Sequence, residues 1–423
     1  MELRPGYKQT EVGVIPADWK CAQISELARL ESGHTPSKRV PKYWGGNVQW
    51  VSLHDTRSLD AGEIRTTAKT ITEDGLSNSS ARLLPAGTVV FSRTATVGKT
   101  TVLASPMATS QDFANYVCGP NLHNRYLVYL FRSMGRTWQS LMAGSIHNTI
   151  YMPVFKALRI VLPPVSEQRV IADTLSDADA LLAGLERLIA KKRDLKQAAM
   201  QQLLTGQTCL PGFIGAWEVK RLGDLFKFSG GHSASRDQLS AKGHCYLHYG
   251  DIHGSSKVSI DTNADYQDIP KLNVPLKRVS PDSLLADGDV VFVDASEDDK
   301  GTSKHVVVVN KSGLPFISGL HTIVAKAKTD ELAHEYRRYC FQTAAIRQQF
   351  MFFAVGTKVS GISKTNIVKL TLPVPSVPEQ TAIATILSDM DGELSLLTAR
   401  RDKTRALKQA MMQELLTGRT RLL

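Results

Sequence analysis

Apolar residues recur at intervals of three and four in two long stretches of this chain, at Ile171, Leu175, Ala178, Leu182, Leu185 and Ile189, and again at Ile383, Leu387, Met390, Leu394 and Leu397. That spacing marks one face of a helix. Past a basic stretch the stripe resumes through Leu195, Ala199 and Leu203, and through Leu407, Met411 and Leu415. Each stretch follows a proline-rich exit from a strand, "RIVLPPVSEQ" and "KLTLPVPSVPEQ". Proline blocks backward extension, so Ser166 or Pro378 opens the first turn and Glu167 or Glu379 sits near its positive end. Both stretches finish in Leu-Leu-Thr-Gly, which places Gly206 and Gly418 where a left-handed C-cap closes a helix. The pattern predicts two helices, each roughly 57 Å long at about 38 residues.

The two helices are copies. Residues 167–210 match 379–422 at 24 of 44 positions without a gap, and "LKQAAMQQLLTG" at Leu195 returns as "LKQAMMQELLTG" at Leu407. One such helix cannot hide its stripe alone, so the copies are expected to pack against each other; the alternative is that each packs on its own domain. Lys192 and Arg401 interrupt the seam.

The intervening parts repeat more faintly. "ADWKCAQISELARLESGH" from Ala17 aligns with "GAWEVKRLGDLFKFSGGH" from Gly215, matching Trp19 with Trp217 and Gly33-His34 with Gly231-His232. "LLPAGTVVFSR" from Leu83 resembles "LLADGDVVF" from Leu284, a glycine turn followed by a Val-Val-Phe strand. The expected fold is therefore α+β: two mixed α/β domains separated by two long antiparallel helices, with an internal pseudo-two-fold repeat. The boundaries fall at 1–165, 166–208, 209–377 and 378–423.

Charge adds a partner class. The chain carries +11 with a sequence pI near 9.3. The helices are balanced, with six basic against six acidic residues in Glu167–Gly206 and five against six in Glu379–Gly418, so the excess lies in the domains. This suggests a polyanion, and two different basic domains suit a split, asymmetric DNA target. Cys21, Cys118, Cys209, Cys245 and Cys340 lack C-x-x-C spacing and form neither an evident disulfide framework nor a zinc site. The first residues lack the apolar core of a signal peptide and no run reaches the length of a membrane span, so a cytoplasmic location is expected.

The order of basic domain, S-E-Q or P-E-Q helix start, long helix ending L-K-Q-x-x-M-Q-x-L-L-T-G, then all of it again, resembles the specificity subunit of type I restriction-modification enzymes across essentially the whole chain. "GYKQTEVGVIPADW" and "LPGFIGAWEVKRLGDLF" look like the stretches that lead into the target recognition domains of that family. The resemblance implies a subunit without chemistry of its own. Each target recognition domain would read one half of a bipartite double-stranded DNA site, while the helices set the spacing and dock two adenine-methylating modification subunits. S-adenosylmethionine, ATP and Mg would belong to modification and restriction subunits, with no cofactor on this chain and no membrane partner. A coiled-coil adaptor with basic domains is the competing reading.

No catalytic motif stands against this. An adenine methylase needs Asn/Asp-Pro-Pro-Tyr/Phe, yet the only Pro-Pro is in "VLPPVS". "TVGKTT" fails as a phosphate loop because Arg93 stands where its first glycine belongs. "DASEDDKG" from Asp294 reads as an acidic solvated loop, and the histidines read as surface or turn residues rather than ligands.

DNA-facing candidates in the first domain are Thr35, Ser37, Lys38 and Arg39 in "SGHTPSKR", Arg93 and Lys99 in "FSRTATVGK", and Ser110 and Gln111 in "TSQDF". The second domain offers His232, Arg236, Asp294, Lys304, His321, Lys358 and Lys364; Asp294 stands where the first domain has Arg93, and His321 stands near the position of Gln111. Expected docking residues on the helices are Leu182, Leu185, Leu195, Met200 and Leu203, with Leu394, Leu397, Leu407, Met411 and Leu415.

Overall fold

The computed structural model describes residues 5–142, 148–255, 257–296, 303–356 and 360–422. The chain divides into two compact units, Met1–Arg187 with Ala399–Leu423, and Leu188–Thr398. Each unit thus holds one globular domain, the beginning of the long helix that follows it and the end of the other long helix. Among the described residues no helix is long and apolar enough to cross a membrane.

The two units share one topology. The first has a five-stranded sheet in the order Ala28–Ser32, Phe113–Cys118, Val89–Ser92, Thr100–Leu103, Glu63–Ile64. The second has Phe226–Gly230, Thr322–Ala327, Val290–Val293, His305–Val309, Ser259–Asp261 in the same spatial order. In both, only the last pairing is parallel. Val89–Ser92 and Val290–Val293 are buried along their whole length, as central strands covered on both faces should be. A second small sheet in each unit contains one parallel pair: Trp44–Val51 with Ala108–Thr109, and His244–Leu247 with Phe316–Ser318.

The helices span Val165–Leu203 and Val377–Leu415, 39 residues each. Their first turns are locked by a side chain that periodicity does not single out. Gln168 is fully buried; its Oε1 accepts from the His123 amide at 2.8 Å, and its Nε2 donates to the carbonyls of Asn121 at 3.1 Å and Pro163 at 2.9 Å. Gln380 repeats this with the Ala333 amide at 2.8 Å and the carbonyls of Glu331 and Pro375 at 2.7 and 2.8 Å. Each glutamine ties the domain to its helix by satisfying backbone groups that burial would otherwise orphan.

Both packing alternatives hold, on different parts of each helix. In the first unit Ile171, Ala172 and Leu175 join the domain core beside Trp19 and Tyr126, and Leu415 and Leu416 enter the same core. In the second unit Ile383, Ala384 and Leu387 play the first part, and Met200, Leu203 and Leu204 the second. Between these anchors, polar contacts set an antiparallel pairing. Lys408 Nζ meets Asp179 Oδ1 at 2.5 Å, Tyr129 donates to Asp179 Oδ2 at 2.8 Å, and Arg405 meets Glu186 at 2.9 Å. The second unit has the same lock, with Lys196 to Asp391 at 2.5 Å and Tyr339 to Asp391 at 2.9 Å, beside Lys192 to Glu393 at 2.7 Å. Each lock lysine lies 5.4 Å from the ring centre of its tyrosine. The seam expected through Leu195 and Leu407 is therefore corrected: the lysine beside each leucine faces the partner segment, and the two leucines stay exposed at 46% and 59%.

One lock is not duplicated. In the first unit Glu167, 1% exposed, accepts from Trp19 Nε1 at 2.9 Å and from Arg421 Nε at 2.5 Å, and Arg421 also grips Asp18 at 2.8 Å. The repeat equivalent of Arg421 is Cys209, and in the second unit Trp217 Nε1 and Glu379 Oε1 are buried without a hydrogen-bond partner. Arg421→Ala is expected to destabilise the first unit by about 3 kcal/mol by stranding the Glu167 carboxylate. Hydrogen exchange of the full chain checks this: faster exchange should be confined to the first unit.

Candidate nucleic-acid interface

Among the described residues, Thr35, Arg93 and Gln111 of the first unit and His232, Arg236, Asp294 and His321 of the second gather at the carboxyl ends of the parallel strand pairs. In the first unit, Trp44–Val51 runs into Ser52–Asp55 and Ala108–Thr109 runs into Ser110–Asp112. The Gly33-His34 loop crosses this end, with the His34 amide donating to Thr109 O at 2.9 Å and Trp50 Nε1 to His34 O at 3.0 Å. In the second unit, His244–Leu247 leads into the short helix Tyr249–His253, and Phe316–Ser318 leads into Gly319–His321. There the His232 amide donates to Ser318 O at 2.7 Å. The buried Tyr246 hydroxyl donates to His232 O at 2.8 Å and accepts from the Leu320 amide at 3.1 Å.

The shared Gly-His pair now has a physical reason. A Cβ on Gly33 would lie 2.2 Å from Ser110 O and 2.3 Å from Thr109 O, and one on Gly231 would lie 1.8 Å from Gly319 O. Only glycine lets the two backbones approach so closely.

On this platform the side chains of the first unit fall into two groups. Thr35 Oγ1 lies 2.6 Å from Gln111 Oε1, and Gln111, Ser37, Lys38 and Arg39 are exposed. Arg93 instead clamps backbone: its Nε donates to Gln111 O at 2.9 Å and its Nη1 to Ile150 O at 3.3 Å. Lys99 pairs with Asp60 at 2.5 Å. Ser110 is a correction to the expected set, because it is buried and its hydroxyl donates to Asp112 at 2.8 Å.

In the second unit the platform carries a denser cluster. Arg236 is exposed and 3.3 Å from Asp251. His248 caps the short helix, its Nδ1 accepting from the Gly250 amide at 3.1 Å; burial holds this imidazole below its ordinary pKa, which suits the acceptor role. Its ring lies 4.6 Å from Tyr249, whose ring meets His321 edge-on at 5.5 Å. His321 has φ +59°, a left-handed conformation uncommon outside glycine. Its Nδ1 stands 3.5 Å from Asp294 Oδ1. Lys304 turns away to the His253 carbonyl, Lys364 is exposed within electrostatic reach of Asp294, and Lys358 lies outside the described residues. Trp50, Tyr246, His248 and Tyr249 are absent from the sequence-derived set, since only strand pairing brings them to the loops.

The expected docking residues also divide. Leu185, Met200, Leu203 and Leu415 are buried within this chain and belong to its own packing, a correction to their expected outward role. Leu182, Leu394, Leu397 and Met411 are half-buried, and Leu195 and Leu407 are exposed. Exposure in both copies extends to identical residues, Gln197 and Gln409, Ala198 and Ala410, Gln201 and Gln413.

Comparison with known proteins agrees with this repeated layout. The family model described as "Type I restriction modification DNA specificity domain" matches twice, at residues 16–192 and 215–404. The type I restriction enzyme MjaVIII specificity subunit of Methanocaldococcus jannaschii is 23% identical over 96% of this chain and 94% of its own length. The MjaIX specificity subunit of the same organism is 27% identical over 55% of this chain and 57% of its own length. The solved S subunit of the type I restriction-modification system from M. genitalium superposes with a TM-score of 0.56 at 14% identity, covering 98% of both chains. The HsdS subunit from Thermoanaerobacter tengcongensis gives 0.51 at 17% identity, covering 96% of this chain and 98% of its own. The two domain matches, each a mixed sheet domain with the start of its long helix, show that this chain belongs to the type I restriction-modification specificity subunit family.

Proposed function

We propose that each unit reads one half of an asymmetric bipartite DNA site, and that the long helices hold the halves at a set spacing while docking two modification subunits that methylate adenine. The chain performs no chemistry in this reading; S-adenosylmethionine, ATP and Mg act on partner subunits. The observation that carries it is one loop platform built twice with different side chains on its rim: Thr35 and Gln111 in the first unit, Arg236, Asp294 and His321 in the second. A scaffold kept while its rim varies is what reading two different sequences requires.

Docking has the opposite signature. Leu195 and Leu407, with the exposed glutamines and alanines around them, are the same residue in both copies and lie outside the buried cores of the two units. Identical exposed surfaces suit two identical partners.

The test is a binding titration of the complex with its modification subunit on duplex DNA carrying the target. Lys38, Arg39, Arg236 and Lys364 supply four cations for phosphates, so affinity should fall at least about 10²-fold between roughly 50 and 200 mM salt. A salt-independent affinity would contradict a DNA-facing platform.

A further inference from the structure

The second unit presents a carboxylate on the face proposed to meet DNA. Asp294 follows the central strand Val290–Val293 and is fixed on both sides of its backbone: its amide donates to His321 O at 3.2 Å, and its carbonyl accepts from the Ile362 amide at 2.8 Å. The side chain is 32% exposed, while Oδ1 is buried without a hydrogen-bond partner and 3.5 Å from His321 Nδ1, so the exposure lies on its other atoms. Burial pushes the carboxyl above its ordinary pKa, with His321 and Lys364 opposing that shift. The group is thus an acceptor with less solvation than a surface aspartate.

A carboxylate so placed is repelled by phosphates and gains nothing from the polyanion as such. What it can gain from is a hydrogen-bond donor, and in the major groove the donors on base edges are the exocyclic amino groups of adenine and cytosine. Arg93, at the same place in the first unit, is taken up by the carbonyls of Gln111 and Ile150. The position braces loops in one unit and presents a side chain in the other.

Resting on the proposed role in DNA reading, we infer that Asp294 is a specificity-determining residue that accepts a hydrogen bond from the exocyclic amino group of an adenine or cytosine in the half-site of the second unit. His321 is its positioning residue. His321 stands on a left-handed backbone with its Nδ1 3.5 Å from Asp294 Oδ1, and Tyr249 packs edge-on against its ring at 5.5 Å. Neither backbone contact of Asp294 uses its side chain, so substitution there leaves the loop anchors in place.

The experiment is methylation of a randomised duplex library by the complex of the full chain with its modification subunit, comparing wild type with Asp294→Ala, Asp294→Asn and His321→Ala. The expected result is a half-site altered at one base pair, normally A·T or C·G in a fixed orientation, with preference there falling at least tenfold in Asp294→Ala while the other half-site is unchanged. Asp294→Asn, able to donate as well as accept, should favour adenine, and His321→Ala should weaken discrimination at the same base pair. A wild-type bipartite motif that all three variants leave unchanged overturns the inference alone. A wild-type complex that methylates no bipartite motif overturns the specificity reading beneath it. Loss of both half-sites in Asp294→Asn, the near-isosteric variant, assigns the side chain to folding and also overturns the inference.

Discussion

Replacing Gln380 by alanine is expected to cost about 2–4 kcal/mol, the sum of a small cavity and three backbone groups left unpaired, one of them buried and two part-buried. The stranded groups are the Ala333 amide and the carbonyls of Glu331 and Pro375. The loss should be local to the second unit, and Gln168→Ala should produce the same effect in the first. Glutamate is the informative control, because it keeps the acceptor for Ala333 but removes the donor to two carbonyls and buries a charge. Hydrogen exchange resolved by segment checks both variants. Uniform loss of protection over the whole chain, or none, would contradict a separate lock in each unit.

Gly231→Ala is expected to remove recognition by the second unit while leaving the first intact. The added methyl meets Gly319 O at 1.8 Å and Thr322 Oγ1 at 2.6 Å, and neither loop can yield, since the next residue is held to Ser318 O and Gly319 itself donates to Leu247 O at 2.9 Å. The strain is on the order of 2–4 kcal/mol, as for overpacking at a site unable to relax. Methylation by the assembled complex should keep the bases specified by one half-site and lose those of the other. Gly33→Ala should invert the pattern, because its methyl meets Thr109 and Ser110 backbone at 2.2–2.3 Å. A Gly231→Ala complex with both halves intact would contradict the role given to this platform.

The long helices were legible from spacing and duplication because both signals are local. Periodicity cannot tell which partner a stripe meets, and that is where the reading failed: Leu195 and Leu407 share a helix face with buried residues, yet a lysine ion-paired across the seam displaces them. The Gly-His pair was visible as a repeat, but its purpose was not, since the backbone that an added Cβ would strike lies on a segment almost ninety residues away. Tyr246 and Trp50 went unnoticed for the same reason; each reads as a core aromatic, and only pairing of distant strands puts its polar tip under a loop carbonyl. Charge pointed to the basic loops, though it could not foresee that Arg93 is turned to carbonyls or that Ser110 is buried beneath Gln111.

Two different readers on one duplicated scaffold should leave their mark on the methylome of the host, sequenced with and without this gene. The account predicts loss of N6-methyladenine at a single bipartite motif whose two halves differ in sequence. An unchanged methylome, with the gene and its methylase both expressed, would contradict it and leave the basic domains to a partner other than DNA.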